Sequence, residues 1–380
     1  MKFFSRAASK VCLFLLLSIP LVSCRDKKAK SIVIKNSLYF ERTEVISIPF
    51  SDFSSLLDGN SEEFKILNLE RSKQYPYQLE KIGKENHQNV LILVTVPPHG
   101  EVQLIVEKGV PDSIPTRTFG RYVPERFDDF TWENDVIGFR MYGKALEGRP
   151  DDAQGMDVWA KRTNEMIIDK WYESKNYHKD YGDGLDYYSV GKTLGAGDVA
   201  PYYNDSLFYS KHYRGYEILG NGPIRTTFKL SFEPWKVGNR TVSLDKTISI
   251  DAGSQMNRIV LEYQLDGTNE ITSVAGIAKR ENGGEVIDMH EKGVFGYWEP
   301  EHGNDGIIGV GLIFNQSIDS ITVHKNQFLS FFQVYPNSSL QYYAGAAWDK
   351  AGRIKSAADW SQYLINYQAS LDHPLEINIQ

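Results

Sequence analysis

The chain has 380 residues, of which 41% are hydrophobic and 24% charged, enough for a large, well-buried domain with a smaller companion. Its formal net charge of −7 excludes a general nucleic-acid binder, which needs a basic surface to displace counterions from phosphate; an anion would have to be held by a local basic cluster. Aromatic residues make up 13%, with 22 Tyr and 7 Trp, a surplus that suits either stacking on sugar rings or packing within β-strands.

Residues 1–23 read as a lipoprotein signal peptide. Lys2, Arg6 and Lys10 supply its positive end, and Val11–Val22 an apolar run too short to span a membrane. Leu21-Val22-Ser23-Cys24 resembles a bacterial lipobox, in which the cysteine takes the lipid and becomes the first residue of the mature chain. Cys12 leaves with the signal, so no thiol pair is left and stability rests on core size. Residues 24–30 form a charged, lipidated tether, which places the protein on the periplasmic or cell-surface side of a bacterial envelope.

Residues 31–116 predict a small β-domain of immunoglobulin-like sandwich type. SIVIKN, EVISIPF, FKILNL, NVLILVTV and EVQLIVEK are short β-branched runs, and the Pro97-Pro98-His99-Gly100 turn is expected to join the last two as a hairpin. Gly109–Thr116, with Pro111 and Pro115, marks the boundary.

Residues 117–380 follow as the larger domain. A strand is expected at about Asp135–Tyr142. A helix is expected within MDVWAKRTNEMIIDKWYES, because Trp159, Thr163, Met166, Ile167 and Trp171 recur at three- and four-residue spacing. Strands then resume: Phe228, Leu230 and Phe232 alternate, as do Ile259, Leu261, Tyr263 and Leu265. A second helix at about Ala357–Ser370 and a strand at Leu375–Ile379 close the chain. Many strands without a regular βαβ alternation predict a mainly β fold, a large antiparallel sandwich with few helices.

Asp157–Gly197 breaks this pattern, being crowded with aromatic, charged and glycine residues. Two motifs within it fail. Gly191-Lys192-Thr193 lacks the earlier glycine of a phosphate loop, since Asp186 stands in its place. Asp180, Asp183 and Asp186 lack the spacing of an EF-hand, although an oxygen-rich loop of this kind admits a structural or catalytic calcium ion; an Asp-capped turn is the plainer reading. HExxH, GxSxG and CxxC are absent, as is GxGxxG after a strand, which removes the usual signs of zinc proteolysis, serine-esterase and nicotinamide chemistry.

Among eight histidines, His87, His99 and His373 fall in polar turns and His324 in a strand pattern, leaving His178, His212, His290 and His302. His178 stands out within the aperiodic loop, beside Tyr177, Asp180 and Tyr181. Cations accompany it: Arg140 on the preceding strand, Lys161, Arg162 and Lys170 on the predicted helix, and Arg214 and Arg225 downstream. Helical period points Lys161 and Arg162 in different directions, so only part of this set can face one pocket.

FTWENDVIGFRMYG, DVWAKRTNEMIIDKWY, YHKDYGDGLDYYSVGKTLGAG and YFERTEVISIPF together resemble a family of bacterial lipoproteins of the Bacteroidota type. That family is described by a domain of unknown function, is encoded with polysaccharide-degrading enzymes, and includes an oligosaccharide dehydratase of ulvan breakdown. The resemblance implies removal of water from a uronic acid at the non-reducing end of an oligosaccharide, giving a 4,5-unsaturated uronate. It also implies a sandwich similar to mutarotase-like and lyase supersandwiches, preceded by the small β-domain.

The chemistry of that reaction assigns roles to residue types. A cation must offset the carboxylate so that the C5 proton can leave, and Arg140, Lys161 and Arg162 are the candidates in that order. His178 suits the base, because imidazole exchanges protons near neutral pH. Tyr181 or Tyr177 suits the acid that protonates the departing 4-hydroxyl, with His290 in reserve; Asp157 or Glu133 suits orientation of the histidine, and Trp159, Trp171 and Tyr187 a stacking wall. Three rivals stay open: a glycan-binding protein without turnover, a glycoside hydrolase with paired carboxylates, and a lyase that expels a sugar.

Overall fold

The computed structural model describes Met1 and residues 30–57, 63–174, 176–267 and 269–380; the predicted signal peptide, Cys24 and nearly all of the tether lie outside them. None of the described helices is long and apolar enough to cross a membrane.

The small β-unit is a sandwich of two antiparallel sheets. One runs in the order Glu376–Ile379, Ser31–Lys35, Glu101–Lys108, Phe64–Asn68, and the other Arg42–Pro49, Asn89–Val96, Tyr77–Glu80. Alternation along these strands turns Ile32, Ile34, Ile46, Ile48, Ile92, Val94 and Leu104 into one shared core. Each such side chain contributes about 1.5–3 kcal/mol when fully buried.

Two features differ from the sequence-based expectation. Asn89–Val96 and Glu101–Lys108 form no hairpin; they belong to opposite sheets, and the turn at 97–100 carries the chain across the sandwich. Pro97 and Pro98 have no N–H to give to a ladder, so pairing cannot extend through the turn. The last strand, Glu376–Ile379, pairs with Ser31–Lys35, so the far end of the chain completes the first sheet.

The larger part has two facing layers. One is an eight-stranded antiparallel sheet, ordered Gly215–Asn221, Arg225–Val237, Arg240–Asp251, Met256–Leu265, Ser339–Trp348, Ile308–Phe314, Val294–Trp298, Glu285–Met289. The other is built from two five-stranded sheets: Gly184–Leu185, Met156–Lys161, Gly138–Met141, Asp129–Asn134, Thr118–Val123; and Ser206–Leu207, Ala196–Tyr203, Ile271–Ala278, Gln327–Val334, Ser320–His324. These two meet at a parallel bridge between Met156 and Gly195. Gly195 has φ +64, and a Cβ there would collide with the Met156 carbonyl, so only glycine lets the seam close. Phe130, Trp132 and Phe139 from one layer and Phe228, Leu230 and Ile259 from the other fill the space between, and the Trp132 indole N–H donates to Asn257 Oδ1 at 2.7 Å across it.

The Ala357–Asp372 helix covers the outer face of the eight-stranded sheet through Trp360 and Leu364. Ser356 caps it, its hydroxyl accepting from the Asp359 N–H.

The predicted helix at 156–174 divides. Met156–Lys161 is a strand, and only Ile168–Glu173 is helical. Trp159, apolar and buried on the outer face, interrupts the alternation of Met156, Val158 and Ala160 with Asp157 and Lys161, and its chance spacing against Ile167 and Trp171 imitated a helix. Lys161 therefore lies on a strand and Arg162 just beyond its end.

Candidate active site

The floor of the site follows from strand alternation. In Asp129–Asn134, Gly138–Met141 and Met156–Lys161, the residues Phe130, Trp132, Phe139, Met141, Val158 and Ala160 enter the central core. The alternate positions, Asp129, Thr131, Glu133, Arg140, Asp157, Trp159 and Lys161, therefore share the outer face, where Arg140 stands opposite both Thr131 and Asp157. All seven are buried. Residues 162–174 and 176–190 cover them as a roof.

Glu133 pins that roof. Its Oε1 accepts the N–H groups of Ile167 at 2.7 Å and Ile168 at 2.8 Å, and its Oε2 holds the Lys161 ammonium. Lys161 also donates to the carbonyls of Asn134 at 2.7 Å and Glu165 at 2.8 Å, so the predicted anion ligand is fully committed to structure. Trp159 packs on Trp171, Tyr172 and Tyr177 with ring separations of 5.1, 5.0 and 5.5 Å. Trp159 and Trp171 are both buried, so they hold the roof from below and form no wall for a sugar.

The acidic turn is spent on the protein's own donors. Asp180 Oδ1 accepts from the Gly182 and Gly184 N–H groups, its Oδ2 pairs with Arg162 at 2.6 Å, and Asp183 pairs with Lys170. Among the described residues no cluster of three or more His, Cys, Asp or Glu is placed to hold a metal ion. Gly184 has φ +119 and faces Lys161 so closely that a Cβ would strike the Ala160 carbonyl. Gly184→Ala is expected to cost about 1–3 kcal/mol from backbone strain, read as a lowered urea midpoint; an unchanged midpoint would show that this contact does not hold the roof down.

At the centre, one guanidinium serves three carboxylates. Arg140 Nη2 reaches Asp157 at 2.5 Å and Asp186 at 3.0 Å, and its Nη1 lies 3.8 Å from Asp129. Among the described residues Arg140 Nε is buried without a hydrogen-bond partner. Burial pushes the Asp129 carboxyl up to about 7 and raises Asp157 and Asp186 as well. Burial alone would lower Arg140, but Asp157 and Asp186 hold it well above the usual guanidinium range. Arg140, with Arg126 acting on Asp129 and Asp186 from further off, does not offset the desolvation of three buried acids, so these carboxyls hold their protons more tightly than exposed ones do.

His178 stands at the edge of this cluster with its side chain 59% exposed. Its Nδ1 lies 2.8 Å from the Asp186 carbonyl oxygen, and the Asp186 N–H returns a bond to the Tyr177 carbonyl at 2.9 Å. A carbonyl only accepts, so Nδ1 carries the proton and Nε2 the lone pair. The Asp186 carboxylate, 3.8 Å from Nδ1, is the acid nearest the ring, rather than Asp157 or Glu133 as expected from the sequence. Tyr177 packs against the imidazole at 4.5 Å between ring centres, and its hydroxyl oxygen accepts from Arg126 Nε at 3.1 Å.

Arg126 was not among the residues expected. It is half-buried and has no carboxylate within ion-pair distance among the described residues. It is aimed by a turn in which Phe127 and Asp128 both adopt positive φ, 51° and 64°. Tyr213 clamps that turn by donating to the Asp128 carbonyl at 2.5 Å, and Tyr122 by donating to the Asp128 carboxylate. Such strain persists only when its surroundings over-determine it, and no hydrophobic period reveals it. The only trace in the sequence is Pro124, preset for a turn just ahead of the strand.

Among the described residues no hydrogen bond, ion pair or ring contact joins the remaining candidates to His178. Tyr181 is 70% exposed with Lys179 over its ring, and Arg162 lies across Trp348. Tyr187 stacks on His302 at 5.3 Å. His290 pairs with Asp288 at 2.6 Å beside the edge strand of the eight-stranded sheet, and His212 with Asp152 at 2.9 Å.

Fold and site together define a mainly β, two-layer antiparallel protein with a roofed arginine–carboxylate cluster beside an exposed histidine. The chain belongs to the family described as Domain of unknown function (DUF4861), whose model matches residues 34–377. A relative named Uncharacterized protein P7, from Formosa agariphila, is 31% identical over 379 residues, covering 94% of this chain and 95% of its own. Two solved structures from Enterococcus faecalis are also similar at 10% identity over 93% of this chain: an alpha-mannosidase (TM-score 0.48) and a protein in Glycosyl Hydrolase Family 38 (TM-score 0.49). This chain spans 46% and 48% of their respective lengths, about half in each case.

Proposed function

We propose that the protein is a carbohydrate-active dehydratase that removes water from a uronic acid at the non-reducing end of an ulvan-type oligosaccharide. The observation that carries this reading is the pairing of two proton-transfer groups side by side. His178 has its Nε2 lone pair directed away from the Asp186 carbonyl, and Tyr177 has its phenol oxygen beside a guanidinium.

In this reading Arg126, with no carboxylate within ion-pair distance among the described residues, receives the uronate carboxylate. His178 Nε2 takes the C5 proton, and the C5–H electron pair forms the C4=C5 double bond. The C4–O bond breaks, and the hydroxyl leaves as water with the Tyr177 proton. Arg126 stabilises the resulting phenolate, and the proton held by His178 returns to Tyr177 through solvent. Asp186 and Arg140 act through His178, the first by fixing its tautomer and balancing the imidazolium, the second by holding Asp186.

Expulsion of a sugar at C4 would use the same groups, so the products decide between dehydratase and lyase. The test is to incubate the protein with defined uronate-ended oligosaccharides and follow mass and ultraviolet absorbance. Loss of one water with new absorbance is expected. Shorter unsaturated sugars would identify a lyase and shorter saturated ones a hydrolase, while unchanged mass across the panel would overturn turnover of this class.

The lipid anchor belongs to the same proposal, on the strength of the Leu21–Cys24 tetrapeptide. Expressed in a bacterial host, Cys24→Ser is expected to move the protein from the membrane fraction to the soluble one and to abolish fatty-acid labelling. Retention in the membrane without label would exclude Cys24 as the anchor.

A further inference from the structure

A cavity of about 460 Å³, lined by none of the residues around His178, lies between the small sandwich, the eight-stranded sheet and the Ala357–Asp372 helix. Ligand pockets are typically about 300–1,000 Å³ and favour such junctions between units. Alternation settles which face it occupies. Arg258, which lines the cavity, alternates with Asn257 and Ile259, and Ile259 packs in the central core while Asn257 accepts from the core Trp132. The cavity is therefore on the opposite face of the eight-stranded sheet from that core.

Its lining has the composition of a sugar site. Tyr343, Tyr363 and Tyr367 form a continuous aromatic surface, with Tyr367 ring centroids 5.4 Å from Tyr343 and 6.0 Å from Tyr363. Two of their hydroxyls already accept: Tyr343 from Gln341 Nε2 and Tyr363 from the Gln255 N–H, each at 2.9 Å. The Tyr343 O–H remains to donate, while the Tyr363 and Tyr367 hydroxyls also bond to the Ser254 side chain. Of the three arginines, Arg42 is committed to Glu44 at 3.0 Å and to the carbonyls of His373 and Ser370, and Arg225 to Asp251 at 2.5 Å. Arg258 has no carboxylate partner among the described residues; it reaches only the Gln341 side-chain oxygen, at 3.3 Å.

We propose that this cavity is a second, non-catalytic site for an acidic oligosaccharide, with the tyrosines on a ring face and Arg258 on a carboxylate. The choice of a sugar as ligand rests on the function proposed above, while the site itself does not require turnover.

Calorimetric titration of His178→Ala with a uronate-ended trisaccharide tests it. Two sites are expected, one of them weakened about tenfold or more by adding Arg258→Ala. The carboxyl-reduced trisaccharide should bind that site equally with Arg258 or alanine. Asn366→Trp, which fills the cavity from the helix, should remove the same site without touching Arg258. In the protein with His178 intact, Arg258→Ala should leave kcat unchanged. Binding indifferent to both substitutions, whether at one site or two, overturns the proposal. Loss of turnover in Arg258→Ala also overturns it, by moving chemistry into the cavity. Arg258-sensitive binding without any turnover in the wild-type protein would support this site while refuting the catalytic reading.

Discussion

Arg140→Met is expected to destabilise the protein by about 3–5 kcal/mol at pH 8, the cost of breaking a buried ion pair and leaving its partners uncompensated. Asp129, Asp157 and Asp186 would then share a buried space without their cation. The loss should shrink toward pH 5, for a reason that fixes its sign. Burial raises the folded-state pKa of these carboxyls, Asp129 to about 7, above the unfolded value near 4. Between those values the folded chain holds protons that the unfolded chain has released, so the cluster's contribution to stability declines as pH rises through that window. Without Arg140 the carboxyls rise further and the decline steepens, while at low pH the neutral acids need no counterion. Urea unfolding of both proteins at pH 5 and pH 8 measures this. An equal gap at the two pH values would mean that the cluster is not titrating.

His178→Ala is expected to lower kcat for water elimination by about 10²–10⁴, the usual contribution of a positioned general base, with KM little changed. The side chain is more than half exposed, so thermal unfolding should stay near that of the parent and separate lost chemistry from lost fold. Asp186→Asn should lower kcat less than His178→Ala does, because the Asp186 carbonyl that fixes the tautomer is unaltered, while the charge that faces the imidazole and pairs with Arg140 is lost. Wild-type kcat in His178→Ala would remove the histidine from the mechanism. A fall matched by a collapse in stability would reassign it to structure.

What was legible in the sequence divides along a physical line. The short runs of the small sandwich, Ser31–Lys35 among them, read correctly because they are isolated from one another by turn residues. The Ala357–Asp372 helix read correctly because it is long, amphipathic and capped by Ser356. Met156–Lys161 was misread because Trp159, buried on the outer face, breaks an otherwise alternating run and falls at helical spacing from Ile167 and Trp171. His178, Tyr177, Arg140 and Asp157 were legible as a group through their unusual density in one aperiodic stretch and the strand before it. Arg126 was not, because its aim depends on two left-handed residues and on Tyr213 reaching from about 85 positions away.

By itself, the sequence determined the β class, the position of the roof and the residue types available for proton transfer, since all three follow from local periodicity or its interruption. Only the tertiary structure decided the partners. It committed Lys161 to Glu133, gave Arg140 three carboxylates, assigned the orientation of His178 to Asp186, and left Arg126 with no carboxylate within ion-pair distance among the described residues. Side chains of identical chemistry become structural or available to a ligand according to what the fold brings within about 4 Å, where desolvation and pairing outweigh any local preference.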